Sequence, residues 1–243
     1  LVGCAIVVTL GVGFSLEPLT SRSKVVIGVA AAGAVALALD LLRARTGTAL
    51  RAAIAIAVAA ATWWVAVRVL QQKEGLEAWL LGAATAAYAV AMVEAFRTIS
   101  RDPLDTLVVA ALAGATVGLL GLLGASASVA FMGIALGTSM GVAAVLYALR
   151  AASARDLRWP DLRFVGLPIT VFAVLASVLT NLTGELPWFA LLPLPLLALL
   201  PALIKHDRPH PFRRGLVTAG LAVVPAAVSV GLVLLHNSAT TPA

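Results

Sequence analysis

Long apolar runs alternate with short polar connectors along this chain. Most runs reach the roughly 17 to 25 residues that an α-helix needs to cross the ~30 Å hydrocarbon core of a membrane. The pattern predicts an all-α fold, a polytopic transmembrane helix bundle of about nine spans, with residues 1–243 forming a single domain. The predicted spans are Leu1–Leu16, Val25–Leu42, Ala52–Leu70, Leu76–Phe96, Leu107–Leu123, Ser128–Leu149, Phe164–Leu182, Pro187–Ile204 and Gly215–Leu235.

The fifth and sixth spans predict a tight helical hairpin over residues 104–150. Only Gly124–Ala127 separates them, and a connector this short forces the two helices into antiparallel contact. In lipid, ridges of small residues let helix backbones approach closely. We therefore predict that this hairpin is the central packing element, and that leucine at Gly137 destabilises the bundle more than leucine at Gly28. The ridge glycines are Gly114 and Gly118 in the first helix and Gly133, Gly137 and Gly141 in the second.

Composition supports the membrane interpretation. Hydrophobic residues make up 61% of the chain, charged residues 12%, and the mean hydropathy is +1.04. A soluble domain is usually about one-quarter charged, so this chain has too few charges to cover a surface that faces water. We expect an integral membrane protein in contact with the lipid bilayer. The net charge of +6 does not indicate nucleic-acid binding, because the basic residues lie at span ends, where membrane topology explains them.

The distribution of lysine and arginine predicts the orientation. Thirteen of the seventeen lie in alternate connectors, within residues 43–51, 97–101, 150–163 and 205–214. Cytoplasmic loops of membrane proteins carry the excess of basic residues. We therefore place these connectors in the cytoplasm, with the N-terminus cytoplasmic and the C-terminus outside. The membrane we expect is the inner (plasma) membrane of a bacterium.

Ionisable residues within the spans lie near their ends. Asp40 precedes Arg43 by three residues, and Glu94 precedes Arg97 by three, so each pair shares one helix face. We interpret both as interfacial ion pairs. The alternative is that Glu94 is a protonatable carboxylate at the mouth of an ion pathway.

No constellation in the sequence predicts covalent chemistry. Asp102 and Asp105 are interpreted as solvated caps of the fifth span. The group His206, Asp207 and His210 is the one gathering of metal-ligand residue types, and its spacing matches no zinc motif. We expect no catalytic residues, no bound metal, no cofactor and no enzyme activity.

The eighth span contains four prolines, which remove backbone donors and clash with the preceding turn. This span is predicted to be kinked or partly unwound. Broken helices form binding sites in some transporters, and elsewhere they are plain packing kinks. The prolines are Pro187, Pro193, Pro195 and Pro201.

The segment around the hairpin resembles a known module. It reads SRDPLDTLVV over residues 100–109, followed by a glycine-rich span, a Gly-Ala loop and VAFMGIALG over residues 129–137. This resembles the small membrane module of Mrp-type cation/proton antiporter B subunits and of membrane-bound hydrogenases. In that family an acidic residue inside the second helix is thought to serve proton movement, and the matching position here is Gly133. The resemblance therefore implies a scaffolding relative.

Three functional hypotheses follow. The first is an accessory or scaffolding subunit of a multi-subunit complex that translocates protons or sodium ions, with other membrane subunits as partners. The second is a small stand-alone transporter for a neutral or apolar solute, lined by the broken eighth span. The third, a lipid-modifying enzyme, has no acid–base or metal set to support it.

Overall fold

The computed structural model of the chain describes residues 20–42, 47–73, 75–99, 102–124, 126–152, 164, 166–182, 186–203 and 211–240. These residues form helices and turns, with no strand among them, which confirms the all-α class. In chain order the helices are α1 (Ser21–Leu41), α2 (Thr48–Leu70), α3 (Gly75–Ile99), α4 (Pro103–Leu123), α5 (Ala127–Ala152), α6 (Leu167–Leu182), a short 3₁₀ helix (Trp188–Ala190), α7 (Leu196–Leu203) and α8 (Pro211–Thr240).

Six of these helices, α1 to α5 and α8, are long and apolar enough to cross a membrane. The chain is thus an integral membrane protein, as predicted, but the count of nine spans is not confirmed. The seventh predicted span forms α6, which has only 16 residues. The eighth is broken into two short pieces, and the first predicted span, Leu1–Leu16, lies outside the described residues.

Helix α6 occupies the centre of the bundle. Every residue from 168 to 180 is buried, and α6 packs against α1, α2, α3 and α4. A helix that is apolar on all sides is suited to such a position. The prediction that the glycine-rich hairpin is the central packing element stays a prediction. Within the hairpin, α4 is mostly buried in the bundle, whereas the outer face of α5 exposes Phe131, Ile134, Val142, Val145, Leu146 and Leu149.

The hairpin itself brings two backbones into direct contact. A Cβ atom built on Gly133 would lie 2.5 Å from the backbone nitrogen of Gly118 and 2.7 Å from the carbonyl oxygen of Gly114. A Cβ on Gly137 would lie 2.8 Å from the carbonyl oxygen of Ala111. Real Cβ atoms do not approach backbone atoms this closely, so both positions require glycine.

Two glycines differ from their predicted behaviour. Gly141 continues the four-residue repeat, yet a Cβ there would meet only the Ala111 Cβ, at an ordinary 3.8 Å. The two backbones are farther apart at this level, so Gly141 is not part of the close contact. Gly28 is packed as well, because its Cβ would lie 2.7 Å from Leu175 Cδ1 in α6. It is therefore no control for a lipid-facing glycine.

The eighth predicted span is unwound at its prolines. Pro187 precedes the 3₁₀ helix, turns follow over residues 191–195, and Pro201 lies inside α7. The connector from α6 is closed by the Asn181 side-chain amide, which donates to the carbonyl of Leu186 at 3.0 Å. The broken segment packs against α8, α3 and α4, so it belongs to the bundle interior.

Candidate functional site

The ion pairs and hydrogen bonds of Asp40, Glu94 and Asp105 lie at one end of the bundle, which we call the charged end. It is formed by the last turns of α1 and α3 and the first turns of α2, α4, α6 and α8. Gly166, just before α6, joins these turns, because its Cβ would lie 3.1 Å from Thr106 Cγ2 and 3.9 Å from Phe96 Cδ1. This is the end that the basic connectors predict to be cytoplasmic.

An ion-pair network around one buried carboxylate links α4 to α8 at the charged end. Arg214 Nη2 lies 2.6 Å from Asp105 Oδ2, and Arg214 Nη1 lies 2.7 Å from Asp102 Oδ2. Thr218 donates its hydroxyl to the second Asp105 oxygen at 2.7 Å. Only 5% of Asp105 is exposed. The network therefore supplies hydrogen-bond donors and a positive charge to a carboxylate that is shielded from water.

The sequence interpretation of this network was partly wrong. Asp102 is a helix cap, accepting hydrogen bonds from the backbone N–H groups of Leu104 and Asp105. Asp105 is not a solvated cap, since Arg214 and Thr218 enclose its carboxylate. One signal was available in the sequence: Arg214 and Thr218 are four residues apart and share a face of α8. Their partner lies more than 100 residues earlier, and no local pattern identifies it.

The predicted interfacial pairs have different surroundings. Glu94 and Arg97 form an ion pair at 2.6 Å, with the Arg97 Nε donating to the same carboxylate oxygen at 2.7 Å. Their side chains are 44% and 39% exposed. Arg43 lies outside the described residues, so the Asp40–Arg43 pair stays a prediction. Asp40 accepts a hydrogen bond from the backbone N–H of Phe164 at 3.3 Å, which ties α1 to the start of α6.

A cavity of about 80 Å³ opens beside this pair, between α2, α3 and the residues that lead into α6. Its charged lining residues are Arg51, Glu94 and Arg97, and most of the remaining wall is apolar. The Nε atom of Arg51 is buried and has no hydrogen-bond partner. A buried donor without an acceptor is uncommon in folded proteins.

Polar groups in the middle of the bundle are hydroxyls. Those of Thr62 and Thr116 donate to carbonyls one turn earlier in their own helices. The hydroxyls of Tyr88 in α3 and Ser177 in α6 are buried and close enough to interact, but their geometry does not make a hydrogen bond. Among the described helices, α3 and α6 are thus the pair in which two neighbouring interior hydroxyls both lack a hydrogen-bond partner.

Aromatic side chains collect at the opposite end. Trp63 and Trp79 contact each other with ring centroids 6.1 Å apart, and Lys24 donates to the carbonyl of Trp64 at 2.8 Å. Phe189 of the broken segment contacts His236 of α8. Exposed tryptophans at this level are typical of a membrane interface.

The described residues contain no group of three or more side chains of the types that bind metals. His206, Asp207 and His210 lie outside the described residues. Comparison of the chain with protein-family models, with curated proteins and with solved structures finds no match.

Proposed function

We propose that this integral membrane protein is an accessory, scaffolding subunit of a multi-subunit complex that translocates protons or sodium ions, and that it does not carry the ion itself. The observation that supports this proposal is the placement of charge. In the described part of the chain, every Asp, Glu, Lys, Arg and His lies within about two turns of a helix end, and the helix centres carry none of these residue types. A relay of ions or protons normally uses ionisable groups at membrane depth.

The resemblance of residues 100–150 to the Mrp-type module provides the link to ion translocation. At Gly133, where that family has an acidic residue, the backbone of Gly118 lies against the helix. No carboxylate side chain fits there without separating α4 from α5. The hairpin in this chain is thus suited to rigid packing and not to proton transfer.

Purification tests the accessory role directly. The tagged protein is extracted from its native membranes in mild detergent, with a mock purification from untagged cells as the control. We expect other membrane proteins to co-purify in fixed stoichiometry and to cross-link to this chain. A lone monomer or a homo-oligomer, active in solute uptake after reconstitution, would contradict the proposal.

Glu94 provides a second test of the same proposal. Because its carboxylate forms a half-exposed ion pair with Arg97, we assign it a structural role. The Glu94→Gln variant should keep ion transport by the assembled complex within a few-fold of wild type. Loss of transport, with the protein accumulating and assembling normally, would make Glu94 a coupling site.

One observation favours the second candidate, a stand-alone transporter for a neutral or apolar solute. The broken segment packs against α3, the helix that carries the unsatisfied Tyr88 hydroxyl facing Ser177. Small-molecule sites are mostly apolar, with a few placed polar groups of this kind. Tyr88→Phe should alter solute uptake by the purified, reconstituted chain if this candidate is correct, and should have no effect on an accessory subunit.

A further inference from the structure

The cavity at the charged end has the composition of a site for an amphiphile. Ile54, Phe96 and Leu167 contribute apolar wall. Arg51, Glu94 and Arg97 contribute the charged groups. We propose that this cavity binds the phosphate group of a membrane phospholipid, with Arg51 as the donor. This inference does not depend on the accessory role, because a lipid site can exist in a lone protein or in a complex.

Among the described residues, the Nε atom of Arg51 has no hydrogen-bond acceptor. Its backbone N–H bonds to Gly47 within the first turn of α2, while its side-chain Nε is buried without a partner. A guanidinium presents several N–H donors in one plane, and phosphate oxygens match that geometry in a bidentate manner. A phosphate in the cavity therefore suits the Arg51 guanidinium better than a neutral ligand does.

Glu94, the one carboxylate among the described lining residues, does not neutralise Arg51. Glu94 is engaged with Arg97 through two short contacts to one oxygen, at 2.6 and 2.7 Å. Asp40 is not among the described lining residues, and its carboxylate accepts from the backbone N–H of Phe164. Among the described lining residues, Arg97 and Glu94 offset each other, which leaves the positive charge of Arg51.

The position of the cavity favours a lipid over a soluble phosphate. It lies at the ends of membrane-spanning helices, at the level where lipid headgroups are found. Its volume of about 80 Å³ accepts a headgroup phosphate and the adjoining atoms, and the apolar wall suits the beginning of an acyl chain. A sugar phosphate or a nucleotide would place hydroxyls against that wall without hydrogen-bond partners.

The test measures lipid binding to the delipidated full-length protein in mild detergent by native mass spectrometry. The probes are dioleoyl phosphatidylglycerol, dioleoyl phosphatidylethanolamine, dioleoylglycerol, which lacks the phosphate, and inorganic phosphate alone. The variants are Arg51→Gln, Arg51→Lys and, as the matched control, Arg213→Gln. Arg213 is an exposed arginine at the same end of the bundle and does not line the cavity.

We expect one phospholipid bound per chain, with affinity about tenfold weaker in Arg51→Gln, as loss of a charge-assisted hydrogen bond gives. Arg51→Lys should bind with intermediate affinity, because it keeps the charge but loses the bidentate geometry, and Arg213→Gln should equal wild type. Phospholipid binding by Arg51→Gln that equals wild type overturns the proposal. Dioleoylglycerol binding as tight as phospholipid binding also overturns it. Arg51-dependent binding of inorganic phosphate without lipid overturns the assignment to a lipid. If Arg51→Gln does not accumulate, Ile54→Trp takes its place in the test. The indole fills the cavity and leaves the charge unchanged, so this variant should no longer bind the lipid.

Discussion

Arg214 is the residue through which α8 is attached to the start of α4. Its guanidinium contacts two carboxylates, and one of them, Asp105, is buried with Arg214 and Thr218 as its side-chain partners among the described residues. Removing one partner of such a pair leaves the other charge poorly compensated, which is more damaging than losing an exposed ion pair. The network thus connects a residue-level contact to the docking of a whole helix.

Asp105→Ala should lower the free energy of unfolding by about 2–3 kcal/mol, because Arg214 and Thr218 lose their shared acceptor. Thermal unfolding in detergent micelles measures the change. The matched control is Glu77→Ala, which breaks the exposed Lys73–Glu77 pair and should cost at most about 1 kcal/mol. If the two variants are equally stable, the network does not hold α8 in place.

The hairpin α4–α5 shows why glycine is needed at some positions of a helix and tolerated at others. Mid-helix glycine is less favourable than alanine by about 1 kcal/mol, so a glycine that faces open space is improved by replacement. Gly133 is different because its bare Cα lies against Gly118 of the neighbouring helix. The sign of a glycine-to-alanine change therefore reports the distance between the helices.

Gly133→Ala should destabilise the protein by about 1–3 kcal/mol, since the added methyl group forces two backbones apart. Gly220→Ala in α8 is the control, because nothing lies within 4 Å of a Cβ at that position. It should be neutral or stabilising by up to about 1 kcal/mol. Gly141→Ala should behave like Gly220→Ala. A stabilising Gly133→Ala would show that α4 and α5 do not make this contact.

For the molecule as a whole, the contacts between helix ends agree with alternating spans. Asp40 meets Phe164, and Arg214 meets Asp102, at the charged end, whereas Lys24 meets Trp64 at the other. The helix ends that flank the basic connectors therefore lie at one end of the bundle. Which end faces the cytoplasm remains the prediction made from charge.

The orientation can be tested with single cysteines, because Cys4 is the only native cysteine. In a Cys4→Ser background, a cysteine at exposed Gln72 should react with a membrane-impermeant maleimide on intact cells, and one at exposed Arg213 should react only after permeabilisation. The two sites serve as each other's control. Labelling in the reverse order would invert the predicted topology.

Several elements followed from the order of residues alone. The helices of the hairpin, its short connector and the break in the eighth span are local properties, set by apolar length, glycine and proline. The spacing of Glu94 and Arg97 likewise places both on one helix face. Each of these depends on interactions within a few residues of the chain, where the sequence pattern carries the information.

The arrangement of the helices did not follow in the same way. In water, apolar residues mark the buried face of a helix, but in lipid the outer surface is as apolar as the interior. The sequence of α6 therefore does not distinguish a central helix from a peripheral one. Asp105 and Arg214 are 109 residues apart, and the cavity around Arg51 is built from three separate segments. These contacts exist only once the helices are packed.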